Sequence, residues 1–481
     1  MAINLRRPIH KQKLKKLVAE RMAAHCSFFP LPSSSSLSPS QITTPIIPSI
    51  TTTLNSKAKR PFSVKCFRPP ESDPPPAVQT FWKWLSDERV VSAKSPAKPG
   101  VVPEGLGLIA QRDIAKNEVV LEVPKREKLR DDSPWKSYID LLPECTHSTI
   151  FWSEQELSEL QGSQLLRTTL GVKELVKSEF QKAKEEVLIP HWQLFPSPVT
   201  LDDFFWAFGM LRSRAFTRLS GQSLVLIPLA DLVNHSPSIT TENYAWEIKG
   251  AGLFSRDLLF SLRSPVPVKA GDQVLMQYDL HKSNAELALD YGFIESQNER
   301  NTYTLTLEIP ESDPFFSDKL DIAESNGMGE TAYFDITSGQ PLPPALLPYL
   351  RLVALGGTDA FLLESLFRNS IWGHLELPVS HSNEEHICQA VRNACRSTLS
   401  GYHTTTEEDE KLKEKGNLDP RLEIAVGIRL GEKKVLQEID EIFRGRELEL
   451  DGFEYYQERR LRQLGLVGEE GEIIFWESKR D

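Results

Sequence analysis

The chain has 481 residues, 40% hydrophobic and 26% charged, which is enough to bury a large core in two or three domains. Its net charge of −11 hides an asymmetry: residues 1–70 hold twelve Lys or Arg and one acid, Glu20, so the remainder, with 44 basic against 66 acidic side chains, carries −22. That acidic body excludes a nucleic-acid footprint. No apolar run approaches the roughly 18 residues of a membrane-spanning helix, and five scattered cysteines (Cys26, Cys66, Cys145, Cys388, Cys395) without a CxxC exclude a disulfide framework or a cysteine-held zinc cluster.

In chain order, residues 22–66 are rich in Ser, Thr and Pro, empty of acids, and end in the basic run Lys57, Lys59, Arg60, Lys65. This is transit-peptide composition; Met22-Ala23-Ala24 resembles a plastid presequence start and Ser63-Val64-Lys65-Cys66 a stromal processing site. Residues 1–66 are therefore set aside as a targeting segment with an upstream extension. The globular pattern starts near Phe81. Val101 to Pro124 alternates apolar and polar around Lys116-Asn117 and predicts a β-hairpin. Residues 135 to about 220 predict mainly helix. Within them Thr200-Leu-Asp-Asp203 forms a capping box, followed by an apolar face of Phe204, Phe205, Phe208 and Leu211, with Arg214 and Arg218 one turn apart.

Short strands are predicted at Leu224–Ile227, Tyr244–Lys249, Leu258–Leu262, Gln273–Tyr278 and Tyr303–Ile309. A helix over Asn284–Asp290, capped by Ser283 with Glu286 and closed by Gly292, interrupts them. Beyond Pro310 amphipathic helices dominate: Pro344–Leu355, Ala360–Phe367, His386–Ser400 and Arg421–Arg444. The chain thus divides into a leader (1–66), a β-rich domain with a helical insertion (67–310) and a helical domain (311–481).

Three stretches suggest chemistry. Glu104-Gly105-Leu106-Gly107-Leu108-Ile109-Ala110 fits G-x-G-x-x-A, but a strand pattern rather than a helix follows it, so the dinucleotide fingerprint fails. Either a backbone approach to a ligand or a plain hairpin turn remains open there. Asp231, Asn234, His235 and Ser236 crowd an apolar background, as a structural network or a site would. A hydrolase triad is excluded by spacing and by the lack of G-x-S-x-G, and no H-E-x-x-H or paired-histidine spacing offers a metal site. Tyr278 ends a strand and Tyr291 ends a helix, each by itself the ordinary place for an amphipathic core edge.

Taken together, the G-x-G turn, the Asn234-His235-Ser236 segment, the Tyr278 strand and Glu286-Leu287-x-x-Asp290-Tyr291-Gly292-Phe293 resemble the SET-domain lysine methyltransferases. The likeness is to the plant chloroplast subfamily acting on the Rubisco large subunit and plastid aldolase, and it spans Phe81 to the C-terminus. The resemblance implies an α+β fold: a SET-type β-domain with a pseudoknot and an inserted helical subdomain, followed by a helical substrate-binding domain. It implies S-adenosyl-L-methionine as cofactor, contacted by Glu104, Gly105, Leu106, Arg218, Asn234, His235 and Tyr291. It implies a lysine channel lined by Arg214, Phe216, Asp231, Trp246 and Tyr278, with Tyr278 polarising the transition state.

The protein partner implied is plastid aldolase, with the Rubisco large subunit second, in the chloroplast stroma. Rubisco-active members resemble one another in a His before the channel aromatic and a Trp after it, where this chain has Tyr244 and Arg256; Trp246 replaces a tyrosine. A segment that relatives carry between Lys125 and Pro134 is shortened here to Arg126–Ser133. Two alternatives stand beside this reading: a SET methyltransferase acting on histones or other nuclear proteins, and a catalytically silent SET-fold binding protein.

Overall fold

The computed structural model describes residues 75–87, 91, 95–124, 136–195, 197–219, 223–240, 246–250, 258–364, 367 and 370–467. The leader, the shortened segment after Lys125, and Tyr244 and Arg256 lie outside these residues. The chain forms two compact units and, among the described residues, passes between them after Phe151, within the long helix Gln164–Ala183, and after Lys282. In the first unit, among its described residues, nine strands build three small sheets. β1 (Ala97–Val102) and β2 (Gly105–Ala110) form an antiparallel hairpin. β3 (Val119–Pro124) pairs not with β2 but with β8 (Leu258–Arg263), which also pairs with β7 (Trp246–Gly250). β4 (Phe216–Leu219) pairs with β5 (Ser223–Val225). β6 (Asn234–His235) runs parallel to β9 (Gln273–Met276), which in turn pairs with β2.

The predicted hairpin is thus displaced. Its turn is Pro103-Glu104, and Lys116-Asn117 instead joins the Ile114–Val268 bridge to β3. Gly105, at φ 116°, makes the earlier turn possible because an L side chain avoids that region. The parallel β6–β9 pairing joins segments about forty residues apart and sets Asn234-His235 beside the strand that leads to Tyr278. A core of Phe81, Leu108, Leu121, Leu232, Phe260 and Leu262, all less than 7% exposed, lies beneath these sheets.

The helix Leu201–Arg214 begins at the expected box, Thr200 Oγ1 accepting from the Asp203 N–H and Asp203 accepting from the Thr200 N–H. Its buried residues are Phe204, Phe208, Gly209 and Met210, so the apolar face is rotated from the expected one, with Phe205 and Leu211 only half-buried. The helix stops at Arg214 and the chain turns extended at Ala215, which places Arg218 on β4 rather than one helical turn away.

The second unit holds the segment from Trp152 to Val172 and everything from Ser283 onward. The helix Asn284–Asp290 has the predicted bounds, with the Ser283–Glu286 capping box formed in both directions. β10 (Thr302–Glu308) pairs with β11 (Thr331–Thr337), a strand that sequence periodicity passed over, although its burial alternates. Helices His381–Ser400 and Pro420–Leu448 form most of the rest. Buried Glu432, pushed up to about 7 by desolvation, accepts from Tyr402 Oη, Ser163 Oγ and the Gln164 N–H, tying the early segment to the long helix. No single helix among the described residues is long and apolar enough to cross a membrane.

Candidate active site

The polar cluster after β5 owes its geometry to a strained turn. Leu229 is 1% exposed yet sits at φ 80°, and it opens the one-turn 3₁₀ helix Ala230–Leu232. A non-glycine residue there is held at a cost of about 1–3 kcal/mol, sustained only by surrounding packing. The turn points Asp231 inward, where its side chain is fully buried. Arg214, at the end of its helix, donates from Nη1 to Asp231 Oδ2 at 3.1 Å and to the Asp231 carbonyl at 3.3 Å. Burial lifts the Asp231 carboxyl, opposed by the Arg214 guanidinium and the Tyr138 hydroxyl. Burial acts against the Arg214 charge, but Asp231, with Tyr138 and Tyr278, raises the guanidinium above its ordinary value.

Two residues on, β6 delivers Asn234 and His235. Asn234 Nδ2 donates to the Leu106 carbonyl at 2.9 Å and to Gln273 Oε1 at 2.8 Å. Gln273 Nε2 reaches Glu104 Oε2 at 3.2 Å. Gly107 leaves room for this crossing: a Cβ there would stand 2.5 Å from Gln273 Oε1 and 3.1 Å from Asn234 Nδ2, so a larger residue would displace the Gln273 amide. The second glycine of the motif therefore lets side chains approach β2, while the first makes the turn. His235 Nδ1 accepts from the Tyr278 N–H at 3.3 Å, a donor that it shares with Gln277 Oε1 at 3.1 Å.

Tyr278 follows β9. Its hydroxyl donates to the Val233 carbonyl at 2.9 Å, and its ring lies 5.3 Å from that of His235. Burial pushes the phenol up to about 12, moderated by Arg214 and reinforced by Asp231. Such a hydroxyl keeps its proton at any physiological pH and can orient or polarise a partner but not act as a base there.

The structure therefore gathers Arg214, Asp231 and Tyr278 into one electrostatically coupled cluster, and Glu104, Gly105, Leu106, Asn234, His235 and Tyr278 into an adjoining one. Phe216 packs its ring 5.2 Å from Phe260 at the core edge. Arg218 and Trp246 are described as backbone on β4 and β7. Tyr291 belongs to the second unit, where it caps Asn284–Asp290 and stacks 5.9 Å from Phe293. Sequence reasoning missed Gln273, which bridges Asn234 to Glu104, and Tyr138, which donates to Asp231 at 2.7 Å. Neither belongs to a motif; only strand register and burial reveal them. Among the described residues no group of three His, Cys, Asp or Glu could hold a metal ion.

Comparison with known proteins gives this geometry its context. A family model described as "Rubisco LSMT substrate-binding" matches residues 310–436. The fructose-bisphosphate aldolase-lysine N-methyltransferase, chloroplastic, of Arabidopsis thaliana is 64% identical over 452 residues, covering 87% of this chain and 93% of its own length. The Rubisco large subunit N-methyltransferase, chloroplastic, of Nicotiana tabacum is 61% identical over 500 residues, covering 95% of this chain and all of its own. Since 95% of 481 residues falls short of 500, the tobacco relative carries roughly 40 residues without a counterpart here. The solved SET domain of LSMT bound to methyl-lysine and AdoHcy superposes with a TM-score of 0.77 at 61% identity, over 83% of this chain and 98% of that one. The chain belongs to the chloroplast SET-domain protein-lysine N-methyltransferases that act on fructose-bisphosphate aldolase and the Rubisco large subunit.

Proposed function

We propose that this enzyme methylates lysine on plastid fructose-bisphosphate aldolase in preference to the Rubisco large subunit, and works in the chloroplast stroma. The chain is an S-adenosylmethionine-dependent protein-lysine N-methyltransferase of the chloroplast. The observation that carries the site assignment is the anchoring of Tyr278 to Val233 and His235 beside the buried Arg214–Asp231 pair. Residues 1–66 act as the transit leader, 67–310 as the catalytic domain and 311–481 as the domain that docks the protein substrate. The residues missing relative to the tobacco enzyme fall after Lys125.

The residues near β2 fit the cofactor. Gly105 has no atom within 4 Å of where a Cβ would stand, so the Glu104–Leu106 backbone is open on that side. Asn234 spends both N–H groups on Leu106 and Gln273, so its contribution to a ligand is the acceptor Oδ1. Glu104, Gly105, Leu106, Asn234 and His235 hold the cofactor, joined by Arg218. When bound, S-adenosylmethionine supplies an already activated sulfonium methyl. What the protein adds is alignment of a neutral amine with that methyl, a positioning task. A lysine of pKa near 10.4 is under about 1% neutral at pH 8, which costs roughly 3 kcal/mol. A narrow channel lined by Arg214, Phe216, Asp231, Trp246 and Tyr278 desolvates the ammonium and lowers that cost. The aromatic members also hold a methylated ammonium by cation–π attraction.

Overall identity does not choose between the two substrates, since the Arabidopsis and tobacco enzymes stand at 64% and 61%. The choice rests on Tyr244 and Arg256, which replace a flat basic ring and a tryptophan at the docking rim and alter partner affinity more than chemistry. In side-by-side assays on unmethylated plastid aldolase and unmethylated Rubisco, label should enter aldolase. Comparable transfer to both, or transfer to Rubisco alone, overturns the preference.

A further inference from the structure

We propose that Tyr138 is a positioning residue for methyl transfer, its hydroxyl holding the Asp231–Arg214 pair in register beside Tyr278. The inference rests on the reading above that Asp231 and Arg214 line the lysine channel. Tyr138 lies on the one-turn helix Lys136–Ile139, is 0% exposed, and packs its ring 6.1 Å from that of Phe81. Its hydroxyl donates to Asp231 Oδ2 at 2.7 Å, the oxygen that also receives Arg214 Nη1 at 3.1 Å.

The physical consequence concerns one torsion. The terminal torsion of an aspartate is broad and roughly two-fold, so a carboxylate held by a single donor can turn. Two donors converging on Oδ2 from different elements, one from Tyr138 and one from Arg214, lock its plane. That leaves Asp231 Oδ1 and Arg214 Nε, both buried, without a hydrogen-bond partner among the described residues. The pair thus keeps one acceptor and one donor fixed in direction, next to the tyrosine that orients the amine. Placement of a reacting amine tolerates only a fraction of an ångström, so loosening the carboxylate lowers the rate of the chemical step rather than cofactor binding.

Tyr138→Phe keeps the ring against Phe81 and removes only the hydroxyl. In the full-length enzyme, assayed with unmethylated aldolase and Rubisco, it should lower kcat about 10-fold, with KM for S-adenosylmethionine and the melting temperature close to parent. Because Tyr138 acts through Asp231, the double variant Y138F/D231N should be no slower than D231N alone. Unchanged kcat in Y138F overturns the proposal. So do losses that multiply in the double variant, and a Y138F protein that melts far below parent and no longer binds cofactor by calorimetry, which marks a purely structural role. If D231N does not fold, the kcat-against-KM split of Y138F decides alone. A parent enzyme that transfers no methyl to any protein lysine defeats the functional reading instead, and is distinguished by the same assay.

Discussion

Tyr278→Phe is expected to lower turnover about 10²-fold or more while leaving affinity for S-adenosylmethionine nearly unchanged, a loss of roughly 3 kcal/mol of transition-state stabilisation. The backbone of Tyr278 bonds His235 and its ring lies tilted against the same residue, and both contacts survive the substitution. Only the hydroxyl is lost, with its bond to the Val233 carbonyl. The pH profile supplies a second reading. The phenol sits at about 12, so it does not ionise in the working range. The rise of rate with pH then reflects deprotonation of the substrate lysine, and the rising limb of the variant should lie where that of the parent does. Parental turnover in Y278F would remove the hydroxyl from the mechanism. A rising limb displaced by the substitution would make Tyr278 a titrating base.

Asp409→Ala is expected to destabilise the second unit by about 3–5 kcal/mol, because it strands two buried cations. Asp409 is fully buried on the helix Thr406–Lys415. It accepts from Arg429 at 2.6 Å and 3.1 Å in a two-pronged pair, and from Lys433 Nζ at 2.7 Å. Arg429 and Lys433 are themselves 0% and 2% exposed. Lys433 keeps the Thr404 and Thr405 carbonyls and Arg429 keeps the partly exposed Glu159 carboxylate, but both lose the buried counter-charge they share.

Burial by itself would raise the Asp409 carboxyl, but hydrogen bonds from Arg429 and Lys433 outweigh it and hold the group below its ordinary value of 3.8. For a carboxylate depressed on folding, the stabilisation is complete above the unfolded-state value and fades as pH drops through the folded one. The parent should therefore lose this contribution only below pH 3.8, while D409A lacks it at every pH. Denaturant unfolding of the two proteins at neutral and acid pH checks both statements. Coincident midpoints at neutral pH would show that the triad contributes nothing.

Several features were legible before any coordinates. The capping boxes at Thr200 and Ser283 form as read, because the bonds that make them lie within three residues of each other. The failure of the dinucleotide fingerprint is equally local: both glycines lie on β2 itself and no helix follows them. The Asn234-His235 segment and Tyr278 were picked out as a motif, and they lie together through the parallel pairing of β6 with β9. What went astray involved a choice between partners. The alternation from Val101 to Pro124 was read as one hairpin, but a period of two states that a segment is extended, not which strand it joins. Phe205 and Leu211 were placed on the buried face because helical spacing fixes a stripe while packing fixes its rotation; Met210 took that place. β11 went unread in a helix-rich region because its stability comes from β10.

The sequence by itself determined the class of the protein: an acidic body after a basic, acid-poor N-terminal stretch, a set of short strands interrupted by capped helices, and the ordered motifs of a methyltransferase. Those properties are local, written in composition, periodicity and bonds spanning a few residues. Only the tertiary structure decided that Asn234 and Gln273 cross β2 at Gly107, and that Tyr138, ninety-three residues away, closes the Asp231–Arg214 pair. Contacts between distant segments depend on sheet register and on which groups are desolvated together. Neither is encoded in the spacing of residues along the chain.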